Sequence, residues 1–243
     1  ETLASNLHDV DRAALFEIAR VYLPVSDSRL PAEPKRLSIV MSGPRAERSW
    51  LEAEASPYGF YDLKGIVETL LARLGITNVR YEPCAHETYQ PGRVAQVVSS
   101  GESLGVIGEV HPLVREHFDL PEQPVCLAEL DVDRMVAASN VNWRYKPVSR
   151  MPAVHVDIAI VVDEAAPSDA IEEAIWQAGG SLLVGVTLFD VYRGPQIGAG
   201  RKSLAYSLIF QAPDRTLTSE EANRQRDRIV AALREAFKAE IRA

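Results

Sequence analysis

Val154-His-Val-Asp-Ile-Ala-Ile-Val-Val162 alternates without a break: Val156, Ile158, Ile160 and Val162 fall on one side of an extended chain, His155, Asp157, Ala159 and Val161 on the other. One face is wholly β-branched, as suits a strand packed on a core. Downstream, Ser168 or Asp169 is placed to cap a helix carrying Ile171, Ala174, Ile175 and Ala178, which Gly179-Gly180 ends. Two long strand runs follow, Leu182–Tyr192 and Lys202–Gln211, joined by the Gly-rich loop Arg193-Gly-Pro-Gln-Ile-Gly-Ala-Gly-Arg201. Thr218-Ser-Glu-Glu221 has the form of a capping box and starts a helix with Ala222, Ile229, Val230, Leu233 and Phe237 on one stripe. Glu240-Ile-Arg242 supplies a short last strand. The order β-α-β-β-α-β is that of a split ferredoxin-like domain, with both helices on one face of an antiparallel sheet.

A sheet covered on one side leaves its other face free, and single-stranded RNA is a frequent ligand there because unpaired bases stack and expose their edges. In the Lys202–Gln211 run, Leu204, Tyr206, Leu208 and Phe210 point one way, and Ser203, Ala205, Ser207, Ile209 and Gln211 the other. Arg193, Arg201 and Lys202 stand near Phe189 and Tyr192, and cations beside aromatic rings suit phosphates and stacked bases. By pattern alone, RNA binding competes with a regulatory or oligomerisation role, because this architecture serves many purposes.

Working outward, Asn140-Val-Asn-Trp-Arg-Tyr-Lys-Pro-Val-Ser-Arg-Met-Pro152 is polar, basic and broken by two prolines. The expected division is therefore a first domain over 1–143, a linker over 144–152 and the ferredoxin-like domain over 153–243. Charge divides there too. Residues 1–143 hold 13 Lys+Arg against 21 Asp+Glu, and residues 144–243 hold 13 of each, so the whole net charge of −8 belongs to the first part. The acidic balance of the whole chain argues against nucleic-acid binding, but the regional count removes that objection from the second part.

In the first part, Ala14–Tyr22 and Leu37–Met41 read as strands. Leu63, Ile66, Val67, Leu70, Leu71 and Leu74 recur at three and four residues, giving a helix that Gly75 caps. Asn78–Tyr81, Arg93–Val98, Leu104–Val110 and Val125–Leu130 read as further strands, the middle two forming a hairpin through Ser-Ser-Gly-Glu-Ser. Pro112 opens a short helix. At 243 residues, 47% apolar and 25% charged, the chain has ordinary globular composition, and no apolar run is long enough to span a bilayer. It starts Glu-Thr-Leu without Met, basic n-region or apolar h-region, so no signal peptide is expected and it reads as a fragment or processed piece. Cys84 and Cys126 form no CxxC pair and are expected to be buried structural thiols in a reducing compartment.

Several blocks resemble one family. Phe189-Asp-Val-Tyr-Arg-Gly194, Gly200-Arg-Lys-Ser-Leu-Ala205 and Arg215-Thr-Leu-Thr-Ser-Glu-Glu221 resemble the ferredoxin-fold anticodon-binding domain of the bacterial phenylalanyl-tRNA synthetase β subunit. Leu15-Phe-Glu-Ile-Ala-Arg-Val21, Phe60-Tyr-Asp-Leu-Lys-Gly65, Tyr89-Gln-Pro-Gly-Arg93, Gly105-Val-Ile-Gly-Glu-Val-His-Pro112 and Glu129-Leu-Asp131 resemble the preceding domain of that subunit. The blocks come in the family's order and span nearly the whole chain.

The resemblance implies an α+β fold: a partial class II synthetase-like antiparallel sheet with helices, non-catalytic and scaffolding, followed by the anticodon-binding domain. It implies a part of the β subunit that binds the anticodon region of phenylalanine tRNA and supports a catalytic α subunit, with a second β subunit in an α2β2 assembly. ATP and Mg2+ are expected for the whole enzyme and none for this fragment, whose metal carboxylates would lie upstream of residue 1. No catalytic residue and no metal ligand is expected here, no membrane or DNA partner, and a cytoplasmic location. Class II chemistry needs fixed cations on ATP, and here Gly101, Gly105 and Gly108 are followed by Glu109 instead of a closing Arg. The competing class is a non-enzymatic interaction module with a ferredoxin-like dimerisation domain.

The family's base-contacting positions map onto Asp190, Tyr192 and Ser203: a carboxylate to accept from a guanine Watson–Crick edge, a ring to stack, and a hydroxyl for a base or ribose. Phe189 adjoins them, and Arg193, Arg201 and Lys202 are expected phosphate contacts. Strict alternation puts Asp190 with Val184, Val186 and Leu188 on the core side, so a bulge or the strand's end has to turn it outward. Val156 stands where the family usually has Arg, before Asp157.

Other constellations read as structure. His8, His86, His111, His117 and His155 make no HxxxH or HExxH pair. Glu109 and His111 sit at a strand-to-helix corner marked by Pro112. Arg224, Arg226 and Arg228, among Glu220, Glu221 and Asp227, read as a solvated helix face.

Overall fold

In the computed structural model, which describes residues 1–26, 29–47, 49–50, 55–143, 145 and 148–242, the chain forms two units, Glu1–Arg144 and Tyr145–Ala243. Each has its own antiparallel sheet. Of the linker expected over 144–152, residues Arg144, Lys146 and Pro147 lie outside the described residues.

The first unit runs α1 (Thr2–Asp9), β1 (Ala13–Arg20), β2 (Lys35–Ser42), α2 (Phe60–Arg73), β3 (Val79–Pro83), β4 (Tyr89–Ser99), β5 (Glu102–Val110), α3 (Pro112–His117), β6 (Val125–Asp131) and α4 (Val132–Ala138). The sheet order is β1-β2-β6-β5-β4-β3. Leu63, Val67 and Leu71 of α2 are fully buried against Ile39, Met41, Val97, Ile107 and Leu130, so the helix covers one face of the sheet. Ile66 belongs to the periodic set but turns outward and is exposed. Gly75 ends α2 at φ +69°, where a Cβ would stand 2.0 Å from the Asn140 carbonyl oxygen. That close approach lets the Asn140 amide donate to the Leu74 carbonyl at 2.9 Å. The hairpin between β4 and β5 turns through Ser100 and Gly101, both at positive φ, with Ser99 facing Glu102. α1 and α4 were not legible in the sequence: each is short, and α4 is held by the Asp131 carboxylate accepting from the Arg134 amide.

The second unit runs β7 (Val154–Asp163), α5 (Ser168–Gly179), β8 (Leu183–Tyr192), β9 (Arg201–Phe210), α6 (Ser219–Phe237) and β10 (Glu240–Ile241). Its sheet order is β10-β7-β9-β8, with the first and third strands of the β-α-β-β-α-β unit at the centre. Leu204, Tyr206, Leu208 and Phe210 of β9 are buried with Ile171 and Ile175 of α5 and Ile229 and Leu233 of α6. A one-residue slip of β9 would expose all four, at on the order of 6–12 kcal/mol, so the register of the central strands is fixed by burial. Thr218 caps α6 reciprocally: the Glu221 amide donates to its hydroxyl at 3.3 Å, and its own amide donates to the Glu221 carboxylate at 3.0 Å. The cap expected at the start of α5 is absent. Pro167 holds the capping position, Ser168 is already helical, and the Asp169 carboxylate accepts from its neighbour Ala170 at 2.9 Å.

Candidate nucleic-acid interface

Both helices of the second unit pack on the Leu204–Phe210 side of its sheet, which leaves the opposite face to short side chains. Register sets three rows across that face: Asp157, Ser207 and Thr187; Ala159, Ala205 and Asp190; Val161, Ser203 and Tyr192. The middle row is the decisive one. Two alanines lie beside an exposed carboxylate, leaving a shallow floor that a planar group can approach.

Asp190 reaches this face through a bulge. Leu188 pairs with Tyr206 on the core side, the next paired residue is Asp190 opposite Ala205, and Phe189 is the extra residue between them. The unpaired residue resets the alternation, so Asp190 and Tyr192 face the same way as Ser203. Phe189 itself is 57% exposed. A second bulge at Val184 leaves that residue exposed, in contrast to the core position alternation gives it, whereas Val186 and Leu188 pack on the core. Among the described residues, the Asp190 carboxylate makes no hydrogen bond or ion pair.

Tyr192 is half-buried. A Cβ on Gly194 would lie 2.3 Å from its hydroxyl oxygen, so glycine there makes room for the ring. The Arg242 guanidinium lies 4.7 Å from the ring centroid, and its Nη2 donates to Gln196 Oε1 at 3.2 Å. The Arg242 amide donates to the Ala159 carbonyl of β7 at 2.9 Å. The side chain therefore bridges from β7 to β8 over β9, and Ser203, in the row between, is only 4% exposed. Arg242 and Gln196 were missed in the sequence. Alternation from Glu240 would have placed Arg242 on this face, but a single residue past a two-residue strand carries little signal.

The three cations expected to meet phosphate are committed to the protein. Arg193 grips the Glu164 carboxylate with two nitrogens, at 3.0 and 2.9 Å, and this hydrogen bonding holds Glu164 below the usual carboxylate range. Arg201 donates to Glu240 at 3.0 Å and to the Val161 carbonyl at 3.3 Å. Lys202 requires a correction: it shares the parity of Leu204, lies on the helix side at 9% exposure, and donates Nζ to the Glu164 carbonyl at 3.0 Å. With the Glu164 amide donating to Gly200 at 2.9 Å, these bonds tie the 193–201 loop to the end of β7.

In the first unit, Glu109 pairs with Arg93 at 2.5 Å, and Arg36 with Asp131 at 2.6 Å, beside Arg134. Arg36, Glu129 and Asp131 lie on the sheet face away from α2, whereas Glu109 shares a row with Cys126 and Met41 on the face that α2 covers. His111 Nδ1 accepts from the Leu113 amide at 3.2 Å, which makes it the cap of α3. Cys126 is buried and its thiol is pushed up to about 12 by desolvation, whereas Cys84 is half-buried, in contrast to expectation. Among the described residues no group of three or more His, Cys, Asp or Glu is arranged for a metal ion. On the face away from α2, Arg36 and Arg134 are both matched by the Asp131 carboxylate, a charge-balanced arrangement poorly suited to a triphosphate. No helix among the described residues is long and apolar enough to cross a membrane.

Residues 1–132 match the family model described as the phenylalanyl tRNA synthetase beta chain CLM domain, and residues 149–242 the ferredoxin-fold anticodon binding domain. The chain is 44% identical to the phenylalanine-tRNA ligase beta subunit of Symbiobacterium thermophilum over 95% of its own length and 25% of that protein's. It is 38% identical to the Geobacillus kaustophilus subunit of the same name, over 96% of this chain and 29% of the relative, and 41% identical to that of Moorella thermoacetica, over 94% and 28%. The chain thus spans between a quarter and three tenths of the length of these relatives. With one model covering more than half of it and the second most of the remainder, the chain belongs to the phenylalanyl-tRNA synthetase β-chain family.

Proposed function

We propose that the second unit binds the anticodon region of phenylalanine tRNA on its helix-free face, and that the first unit is a non-catalytic scaffold for the catalytic α subunit in the α2β2 enzyme. In that enzyme, a cytoplasmic ligase, ATP and Mg2+ serve the α subunit. The observation that carries the RNA reading is the bulge at Phe189, which brings Asp190, Tyr192 and Ser203 onto one face.

Asp190 is suited to accept hydrogen bonds from a guanine Watson–Crick edge, since its carboxylate is exposed and unpaired. Tyr192 is the stacking platform. An exposed cation–π contact is worth about 0.5–1 kcal/mol, and base–aromatic stacking about 1–3 kcal/mol. A base therefore displaces Arg242 from the ring, uncovers the Ser203 hydroxyl and frees the guanidinium for phosphate. Arg193, Arg201 and Lys202 act by fixing the loop beside the ring.

Exposed Phe16 (75%) and Ile18 (57%) on the edge strand β1 support protein contact for the first unit. Dimerisation through the outer edge of β8 is disfavoured by its two bulges, which break the flat ladder that strand addition needs. The test is fluorescence anisotropy of the chain with an anticodon stem-loop of phenylalanine tRNA and with an anticodon-exchanged copy. Tighter binding to the first supports the reading; equal affinity for both overturns it.

A further inference from the structure

β10 pairs with β7 only at Ile160 and Val161. Past that short pairing, a groove of about 460 Å³ opens between β7, α6 and the end of β10. Its lining combines apolar Ile158, Val230, Ala231 and Ile241 with Arg226, Arg234 and Arg242 and with Asp157 and Asp227. Arg226, Val230 and Arg234 are four residues apart and so form one stripe of α6, with the two arginines about 12 Å apart along the axis. Arg226 is matched by Asp227 at 2.8 Å. Arg234 is exposed, and its guanidinium makes no hydrogen bond or ion pair among the described residues.

We infer that this groove is a phosphate-backbone subsite for single-stranded RNA, with Arg234 as its principal contact and Arg242 as its link to the helix-free face. The inference rests on the RNA reading given above and extends it to a place that reading does not assign. Continuity favours this occupant: Asp157, Ala159 and Arg242 line the groove and also border the face. A strand crossing the sheet from Tyr192 toward β7 runs off the edge into the groove. There Arg234, without a carboxylate partner among the described residues, meets its charge, and the apolar part of the lining tolerates the sugar. An acidic peptide adding to the free edge of β7 is the other occupant this chemistry admits.

The test uses the whole chain, a stem-loop carrying the phenylalanine anticodon, an anticodon-exchanged copy, and the variants Arg234→Ala and Tyr192→Ala. Arg234→Ala, at an exposed helical position, is expected to weaken both RNAs equally, by several-fold, and to reduce the salt slope of log affinity by about 0.7. Replacing loop phosphates one at a time by neutral methylphosphonates should find one whose loss weakens wild type and leaves Arg234→Ala unchanged. If Tyr192→Ala loses discrimination while Arg234→Ala changes neither affinity nor slope, the groove inference falls and the RNA reading stands. If neither RNA is discriminated by wild type, the RNA reading itself falls and takes the groove with it. If Arg234→Ala keeps RNA affinity but loses binding to a polyglutamate peptide, the groove is a peptide site and the inference is overturned.

Discussion

Arg242 and Tyr192 form a contact across three strands: the arginine's backbone is bonded to β7 through Ala159, and its guanidinium lies 4.7 Å from the centroid of a ring carried by β8. Ser203 lies in the row between and is screened from solvent. In the proposed complex, a base takes the place of the Arg242 guanidinium over this ring.

Tyr192→Ala is expected to weaken binding of the anticodon stem-loop by about 1–3 kcal/mol, whereas Tyr192→Phe keeps most of the affinity because the ring remains. Anisotropy titrations at one fixed salt concentration read both. Equal losses in the two variants would remove stacking as the role of Tyr192.

Deleting Phe189 regularises β8, since Leu188 and Asp190 already face consecutive residues of β9, Tyr206 and Ala205. Discrimination between anticodons should survive that deletion. Deleting Val191 instead turns Tyr192 to the helix side, and discrimination should vanish with the circular dichroism of both variants kept native. The opposite pattern would refute the register given for β8.

Gly75→Ala should destabilise the first unit by roughly 1–3 kcal/mol, because φ +69° is unfavourable for alanine and the new methyl meets the Asn140 carbonyl. A lower urea midpoint with an unchanged slope is the expected result. An unchanged midpoint would mean that the turn relaxes without loss.

Glu164 has its carboxyl held low, first by the Arg193 hydrogen bond. A lowered folded-state value means that its contribution is complete above the unfolded-state value, about pH 4.3, and is lost as the pH falls through the lower folded one. The protection factor of the Glu164 amide, which bonds Gly200, should therefore fall on acidification only below about pH 4.3. In Glu164→Gln that acid step should be missing; a step of equal size in both proteins would assign it elsewhere.

Much of the architecture was legible in the residues because it follows from local rules. Alternation in Val154–Val162 and Lys202–Gln211 set two central strands, the three-and-four spacing from Leu63 to Leu74 set α2, and Thr218 with Glu221 set the start of α6. The short elements α1 and α4 were missed, since fewer than three turns of helix carry too little periodicity and depend on packing. In the site, the identities of Asp190, Tyr192 and Ser203 came from a resemblance of motifs. Alternation alone put Asp190 on the wrong side.

The sequence by itself determined the apolar faces of β7 and β9, the order of elements, and the neutral charge of the second unit beside an acidic first one. These are properties of neighbouring residues and of sums. Only the tertiary structure decided where the extra residue of β8 is accommodated, that Lys202 lies under the sheet with Arg193 and Arg201 bound to acceptors far along the chain, and that Arg242 reaches Tyr192. The physical reason is that a bulge, a long-range ion pair and a cation over a ring are each fixed by which strands become neighbours. That choice is made by burying Tyr206, Phe210 and their partners under two helices, far from the polar residues whose placement it settles.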